Sequence, residues 1–334
     1  MISPGTHANA SPWSLASTTP GATLAAQGFV FLTATALRTL AGLDTATTER
    51  WAHTWNDLPP DRYLRDGGRY RSRRHSCFVQ DVDGTDASES GRDGSGRDGP
   101  GRDGPGRDGP GRDRPDHADP GRVGPGSGLV QVAHRPHWQS TDYNALHGGI
   151  DRLFEPMAAE LVDDPAWSRL LVSLGRIFAA DSRAGQPEAG QPGASHAGVG
   201  HRGADHPGPG RPGVRPWSIE AHQFRIDTRD GMGRPTPEGA HRDGVDYVAV
   251  ILVAREGIKG GETRIFEADG PRGMRFVMTQ PWSAVLLNDR RMIHEATPIQ
   301  PAPPGDPAAS HDSLASGAAT PSGHRDTLVL TYRA

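Results

Sequence analysis

The stretch His241-Arg242-Asp243-Gly244-Val245-Asp246-Tyr247-Val248-Ala249-Val250-Ile251-Leu252-Val253 joins a short polar motif to an apolar run. From Tyr247 to Val253 there is no polar alternation, which is the pattern of a strand covered on both faces. In an extended chain successive side chains point to opposite sides, so His241 and Asp243 share one face while Arg242 takes the other. A third donor is supplied if sheet pairing brings His294, 53 residues further along, opposite them. Two imidazoles and one carboxylate then occupy one side of a cation and leave its other side open.

Outward from this stretch, the chain from Trp217 onward reads as strand and turn. Strands are expected at 219–227, 245–254, 262–267, 274–279, 283–288, 292–296 and 326–333, with Gly and Pro clusters at the joins. Upstream the periodicity turns helical: 34–43 behind a Thr33 cap, about 45–58 with Trp51 and Trp55 on one face, about 150–161, and 165–178 with Pro165 in the first turn. Short strands are expected at 28–32 and 129–132, and residues 63–82 supply one or two outer strands. Cys77 lies among these as an inert, half-buried residue. Many short antiparallel strands after a helical start indicate a mainly β, α+β chain. Its expected form is a double-stranded β-helix, or jelly roll, braced on one sheet by the N-terminal helices.

Composition sets the domain count. The 334 residues include 44 Gly and 30 Pro, concentrated in a few tracts that bury too little apolar area to offset the entropy of ordering. These tracts are an N-terminal arm at 1–20 and insertions at 84–128, 181–214 and 301–323. What remains, within 21–334, has the size of one catalytic domain. Residues 91–115 repeat Gly-Arg-Asp-Gly-Pro at a period of five, which is not the three-residue period of collagen. The tract at 181–214 contains His196, His201 and His206 without regular ligand spacing.

A formal charge of −4, spread along the chain, gives no basic face for nucleic acid. Lys259 is the one lysine, which leaves little scope for Schiff-base chemistry. The single cysteine excludes an intrachain disulfide framework and suits a reducing cytoplasm. No charged leader precedes an apolar segment, and no apolar run approaches the roughly 20 residues of a membrane span. A cytoplasmic protein is expected, of unspecified oligomeric state.

Several ordered pieces carry a family resemblance: 222–226 (His-Gln-Phe-Arg-Ile), 237–244 (Pro-Glu-Gly-Ala-His-Arg-Asp-Gly), 260–262 (Gly-Gly-Glu), 288–291 (Asn-Asp-Arg-Arg), His294, 297–299 (Thr-Pro-Ile) and 325–333 (Arg-Asp-Thr-Leu-Val-Leu-Thr-Tyr-Arg). Fainter pieces lie at 143–152 and around Gly28-Phe29. Together they resemble the 2-oxoglutarate-Fe(II) dioxygenases that include bacterial free-L-isoleucine hydroxylases. The resemblance implies Fe(II) held by His241, Asp243 and His294, 2-oxoglutarate as cosubstrate, O2 as oxidant and a small free L-amino acid as substrate. It also implies an Arg at the start of the last strand for the distal carboxylate of 2-oxoglutarate, here Arg325. A guanidinium suits that task because its planar fork pairs a carboxylate through two hydrogen bonds.

Arg325 stands 31 residues after His294, and the tract at 301–323 accounts for the excess. Arg333 is the competitor for its role. Thr327 shares the strand face of Arg325 and can donate to the same carboxylate. On the first barrel strand, Gln223 and Arg225 are expected to point inward, toward the cosubstrate and the substrate carboxylate. Trp138, Tyr143 and Asn144 are expected near the substrate, while Asp289, Arg290 and Arg291 are expected to stabilise the turn before His294. Two other readings remain: a cupin-type metal dioxygenase or isomerase that works without 2-oxoglutarate, and a jelly-roll binding module without turnover.

Overall fold

The computed structural model describes residues 19–66, 68–81, 128–144, 146, 148–184, 216–303 and 323–334. The Gly-Arg-Asp-Gly-Pro repeat, nearly all of the N-terminal arm and most of the three insertions lie outside the described residues. The described chain is mostly antiparallel β with few helices. Among these residues no helix is long and apolar enough to cross a membrane.

Helix α1 (Pro20–Gln27) opens behind Thr19, whose hydroxyl accepts the Ala22 N–H, with Pro20 in its first turn. Its cap and first residue fall inside the arm expected at 1–20. Strand β1 (Phe29–Leu32) and helix α2 (Ala34–Ala41, capped by Thr33) follow close to expectation, whereas helix α3 (Thr45–His53, capped by Asp44) stops short of the expected 45–58 and leaves Trp55 beyond its end. The expected helix at about 150–161 is only the single turn α4 (Ala159–Val162). The segment before it instead lies along strand β2 (Arg71–Gln80), where His75 donates its N–H to the Glu155 carbonyl and Met157 donates to Ser76. Helix α5 (Pro165–Ala184) is the long brace.

The main sheet has seven strands in the order β1-β9-β5-β12-β4-β2-β3, where β3 is Leu129–Gln131, β4 Trp217–Asp227, β5 Tyr247–Glu256, β9 Ala284–Asn288 and β12 His324–Arg333. Strand β2 is therefore not outermost; β3 takes the edge. Against this sheet stand a three-stranded sheet, β10-β7-β8 (Met292–Ala296, Glu262–Glu267, Gly273–Val277), and a two-stranded one, β11-β6 (Ile299–Pro301, Ile258–Gly260).

Two apolar layers fix this arrangement. Trp51, Trp167, Leu170 and Phe178 of the helices, with Trp55 just after α3, pack on Ile219, Ala221, Leu328, Leu330 and Tyr332 of the main sheet. On its other side Val248, Leu252, Val285 and Leu287 meet Ile265 and Met292 of the smaller sheet. Because side chains alternate along each strand, β12 sends Leu328 and Leu330 to the helices and Arg325, Thr327, Val329 and Thr331 toward the space between the sheets. Cys77 is fully buried on β2, more than the half-burial expected.

Candidate active site

The cavity between the sheets is walled by β2, β4, β5 and β12 on one side and by Thr263, His294, Glu295 and Ala296 on the other. His241 and His294 meet through an isolated backbone bridge: each donates its N–H to the other's carbonyl, at 3.0 and 2.9 Å. Their rings lie 4.6 Å apart. Asp243 Oδ1 is 3.7 Å from His241 Nε2, and Asp243 Oδ2 is 3.7 Å from His294 Nε2. One donor atom from each of the three residues falls within 4.8 Å of the others.

These residues fit a metal ion. His241 donates its Nδ1 proton to the Gly239 carbonyl at 2.9 Å, which orients the ring with Nε2 toward the cluster. Metal bonds of about 2.0–2.2 Å bring ligand atoms to roughly 3 Å of each other. Each of the two 3.7 Å pairs must therefore close by about 0.7 Å to grip a metal. Burial lowers the pKa of His294 to about 4, helped by the charge of His241, so its ring is a neutral ligand at physiological pH. Burial also opposes charge on His241, but Asp243, Glu238 and the Gly239 carbonyl outweigh it and raise that pKa to about 9. The proton held there is displaced when a cation takes its place.

Asp289 is not a ligand and does more than end a turn. Its carboxylate accepts the N–H groups of Asp243, Gly244 and Val245 at 3.0, 2.8 and 3.1 Å. Gly244 has φ +76°, and a Cβ there would press into the Tyr143 ring at 2.5 Å. Glycine is therefore required both by the turn and by the neighbouring side chain. Arg290 pairs with Asp246 at 2.5 Å, and Arg291 donates to the Ala25 carbonyl at 2.6 Å, both away from the donor cluster.

Arg325 is 4 % exposed and lines the cavity, and its Nε has no hydrogen-bond partner among the described residues. A register shift in the β5–β12 pairing falls between Asp326 and Thr327, next to it. Burial, then the charge of Arg255, lowers its pKa to about 10, so it remains cationic. A buried cation of this kind calls for an anion. Thr327 lines the same wall. Arg333 is exposed at the rim and donates to the Gly244 carbonyl at 2.8 Å.

The expectation for Gln223 and Arg225 needs correction. Both point away from the cavity, because the odd-numbered face of β4 carries Ile219 and Ala221 under the helices. Gln223 is fully buried and donates to Thr54 at 2.7 Å, while Arg225 forms a two-pronged ion pair with Asp326 at 2.8 and 2.7 Å. The cavity receives the even-numbered set instead: Ser218, Glu220, His222, Phe224 and Ile226. Trp138, 58 % exposed, and buried Asn144 line the cavity. Sequence reasoning missed Arg71, Arg73, His137, Gln139, Arg152 and Glu238, which also line it. The alternation Arg71-x-Arg73-x-His75 was the available signal, since three polar residues on one strand face need either water or a site.

A model of the 2OG-Fe dioxygenase family matches residues 121–315. The chain is 40 % identical to a bsmA homolog from Methylobium petroleophilum PM1, covering 95 % of this chain and 92 % of that one with a TM-score of 0.63. At 11 % identity it shares the fold of IDO from Bacillus thuringiensis, with a TM-score of 0.54 and coverage of 95 % and 96 %. The Fe(II)/(alpha)ketoglutarate-dependent dioxygenase TqaL is similar in the same sense, at 16 % identity, a TM-score of 0.53 and coverage of 94 % and 85 %. No curated protein sequence matches. Matched over more than half its length, and carrying a two-histidine, one-carboxylate cluster beside a buried arginine, the chain belongs to the 2OG-Fe dioxygenase family and takes Fe(II) and 2-oxoglutarate as its cofactors.

Proposed function

We propose that the chain is a double-stranded β-helix enzyme, folded as one domain, that hydroxylates a C–H bond of a small free L-amino acid. In this reading His241, Asp243 and His294 hold Fe(II), and Arg325 with Thr327 holds the distal carboxylate of 2-oxoglutarate. When bound, Fe(II) supplies the oxidising chemistry: 2-oxoglutarate and O2 give succinate and CO2, and the second oxygen atom enters the substrate C–H bond. The protein's own residues bind, orient and exclude water.

The substrate class rests on one observation. Two oppositely charged cavity-lining groups each keep a buried polar atom unpartnered among the described residues, Nε of Arg152 and Oε2 of Glu238. An amino acid brings a carboxylate for the first and an ammonium for the second, and leaving such groups unpaired is costly. Arg152 thus takes the role expected of Arg225. Trp138 and Asn144 flank the substrate, Asn144 reaching Glu238 Oε1 at 3.5 Å. A metal enzyme that works without 2-oxoglutarate is set aside by the family match. The test is succinate formed from 2-oxoglutarate with a panel of free L-amino acids. Stimulation by one or a few is expected; a flat response across the panel sinks the amino-acid reading.

A further inference from the structure

A second group of metal-type donors stands at the same cavity wall, which His137, Glu220 and His222 line and behind which His75 is fully buried. His75 and His222 are direct partners in the β2–β4 register, with rings stacked 4.6 Å apart. Glu220 is two residues from His222 on the same strand face, and His137 reaches over from the segment bridged to Arg152. Around Glu220 Oε2 stand His137 Nδ1 at 2.7 Å, His75 Nε2 at 3.5 Å and His222 Nε2 at 3.7 Å. One donor atom from each of the four residues lies within 4.8 Å of the others.

We propose that His75, His137 and Glu220 form a second divalent-cation site of the zinc class, with its open side toward the cavity. His222 has a different part. Arg73 lies 2.9 Å from His222 Nδ1, and a guanidinium only donates, so the proton of a neutral His222 ring sits on Nε2 and faces Glu220. His222 thereby steadies the carboxylate from beside the ligand set, as partners of metal ligands commonly do. Imidazole with carboxylate is a donor set for zinc, and three protein ligands leave a position free.

Without a cation this corner is poorly satisfied. His75 is fully buried, its Nδ1 has no partner among the described residues, and its Nε2 has only Glu220 and Cys77, each at 3.5 Å. A buried imidazole without a good hydrogen bond is costly. Burial lowers all three imidazoles, His137 to about 4, so they are neutral as ligands must be. Of the cations nearby, Arg73 is balanced by Asp61 at 3.9 Å, and Arg135 pairs with the other Glu220 oxygen, Oε1, at 3.6 Å.

Metal content of the metal-free, full-length chain after loading with Zn(II) and dialysis tests this directly. Wild type is expected to hold about two Zn(II) per chain, His241→Ala about one, Glu220→Gln about one, and the double variant none. Glu220→Gln keeps shape, and a circular-dichroism melt confirms its fold; His137→Gln, nearer the surface, decides the matter if that variant does not fold. Co(II) substitution gives a second reading, since the Glu220-dependent ion adds its own visible absorption. One Zn(II) in wild type that Glu220→Gln does not remove, or two that survive both Glu220→Gln and His137→Gln, overturns the proposal. Surviving ions would lie elsewhere, the tract around His196 and His201 included. Loss of only the His241-dependent ion leaves this site standing, so the two sites fail separately.

Discussion

Asp289 holds Asp243 by its backbone: the Asp243 N–H reaches one oxygen of Asp289, and the next two N–H groups reach the other. The ligand carboxylate is thus aimed by a second carboxylate that touches no metal. Asp289→Asn replaces one acceptor oxygen with a donor and sets it against an N–H. Fe(II) affinity is expected to fall about 10- to 100-fold, the usual cost of losing such a partner. Anaerobic metal titration of the variant checks it, and an unchanged dissociation constant would show that Asp243 is positioned by other means.

Arg325→Ala removes the buried cation proposed to face 2-oxoglutarate. Breaking one side of a buried ion pair costs roughly 3–5 kcal/mol. That is about two to three and a half orders of magnitude in cosubstrate affinity. Arg325→Lys recovers only part, because an ammonium has no fork. Following the charge-transfer band of the Fe(II) protein during 2-oxoglutarate titration gives the constant. A large effect in Arg333→Ala with none in Arg325→Ala would move the role to the rim.

Metal binding is expected to release a proton. With its pKa raised to about 9, His241 is protonated at neutral pH, and Fe(II) or Mn(II) must displace that proton from Nε2. Apparent affinity therefore rises about tenfold per pH unit from pH 7 and levels off above pH 9. Calorimetric titration with Mn(II) at pH 7.5 in two buffers of different ionisation enthalpy should give about one proton released per metal bound. Zero release would mean that His241 is already neutral.

Acid stability has a separate source. Asp61 is buried between Arg71 at 2.7 Å and Arg73 at 3.9 Å. Burial alone would raise its pKa, but the two guanidiniums and the Tyr63 N–H hold it below the ordinary carboxylate value. A depressed carboxylate stabilises the fold above its unfolded pKa of about 3.9 and loses that contribution as pH falls through the folded value. Asp61→Asn should cost about 3–5 kcal/mol at pH 7, since both arginines stay buried. It should also flatten the loss of stability below about pH 4. Thermal unfolding from pH 7 to pH 3 compares the two proteins, and parallel curves would remove Asp61 as the cause.

The strands that carry the donor cluster were legible because their signals are local. Residues 262–267 and 292–296 match β7 and β10 to the residue, bounded by Gly261 and by Asp289-Arg290-Arg291. The face of β4 was not legible. Gln223 and Arg225 are as polar as Glu220 and His222, and their partners Thr54 and Asp326 are 169 and 101 residues away. A one-residue change of parity moves a whole strand face, and only the tertiary partners decide it. The stretch at 150–158 misled in another way, since Phe154 and Met157 are buried by lying along β2 and not by helical packing. Three-residue strands such as β6 and β11 are too short for periodicity to register.

The backbone bridge between His241 and His294 ties together two ligands 53 residues apart in sequence. Those two amides should therefore exchange hydrogen for deuterium at one common rate, opening together or not at all. Because the bridge is also what keeps the imidazoles adjacent, a bound cation slows that opening without touching the helical layer over the far face of the main sheet. In an unfolding series the two amides report loss of the small sheet, and the indoles of Trp51 and Trp167, which meet edge to face with centroids 5.9 Å apart among the helices, report loss of the large one. Metal should shift the first transition upward relative to the second by the mass-action increment of its affinity.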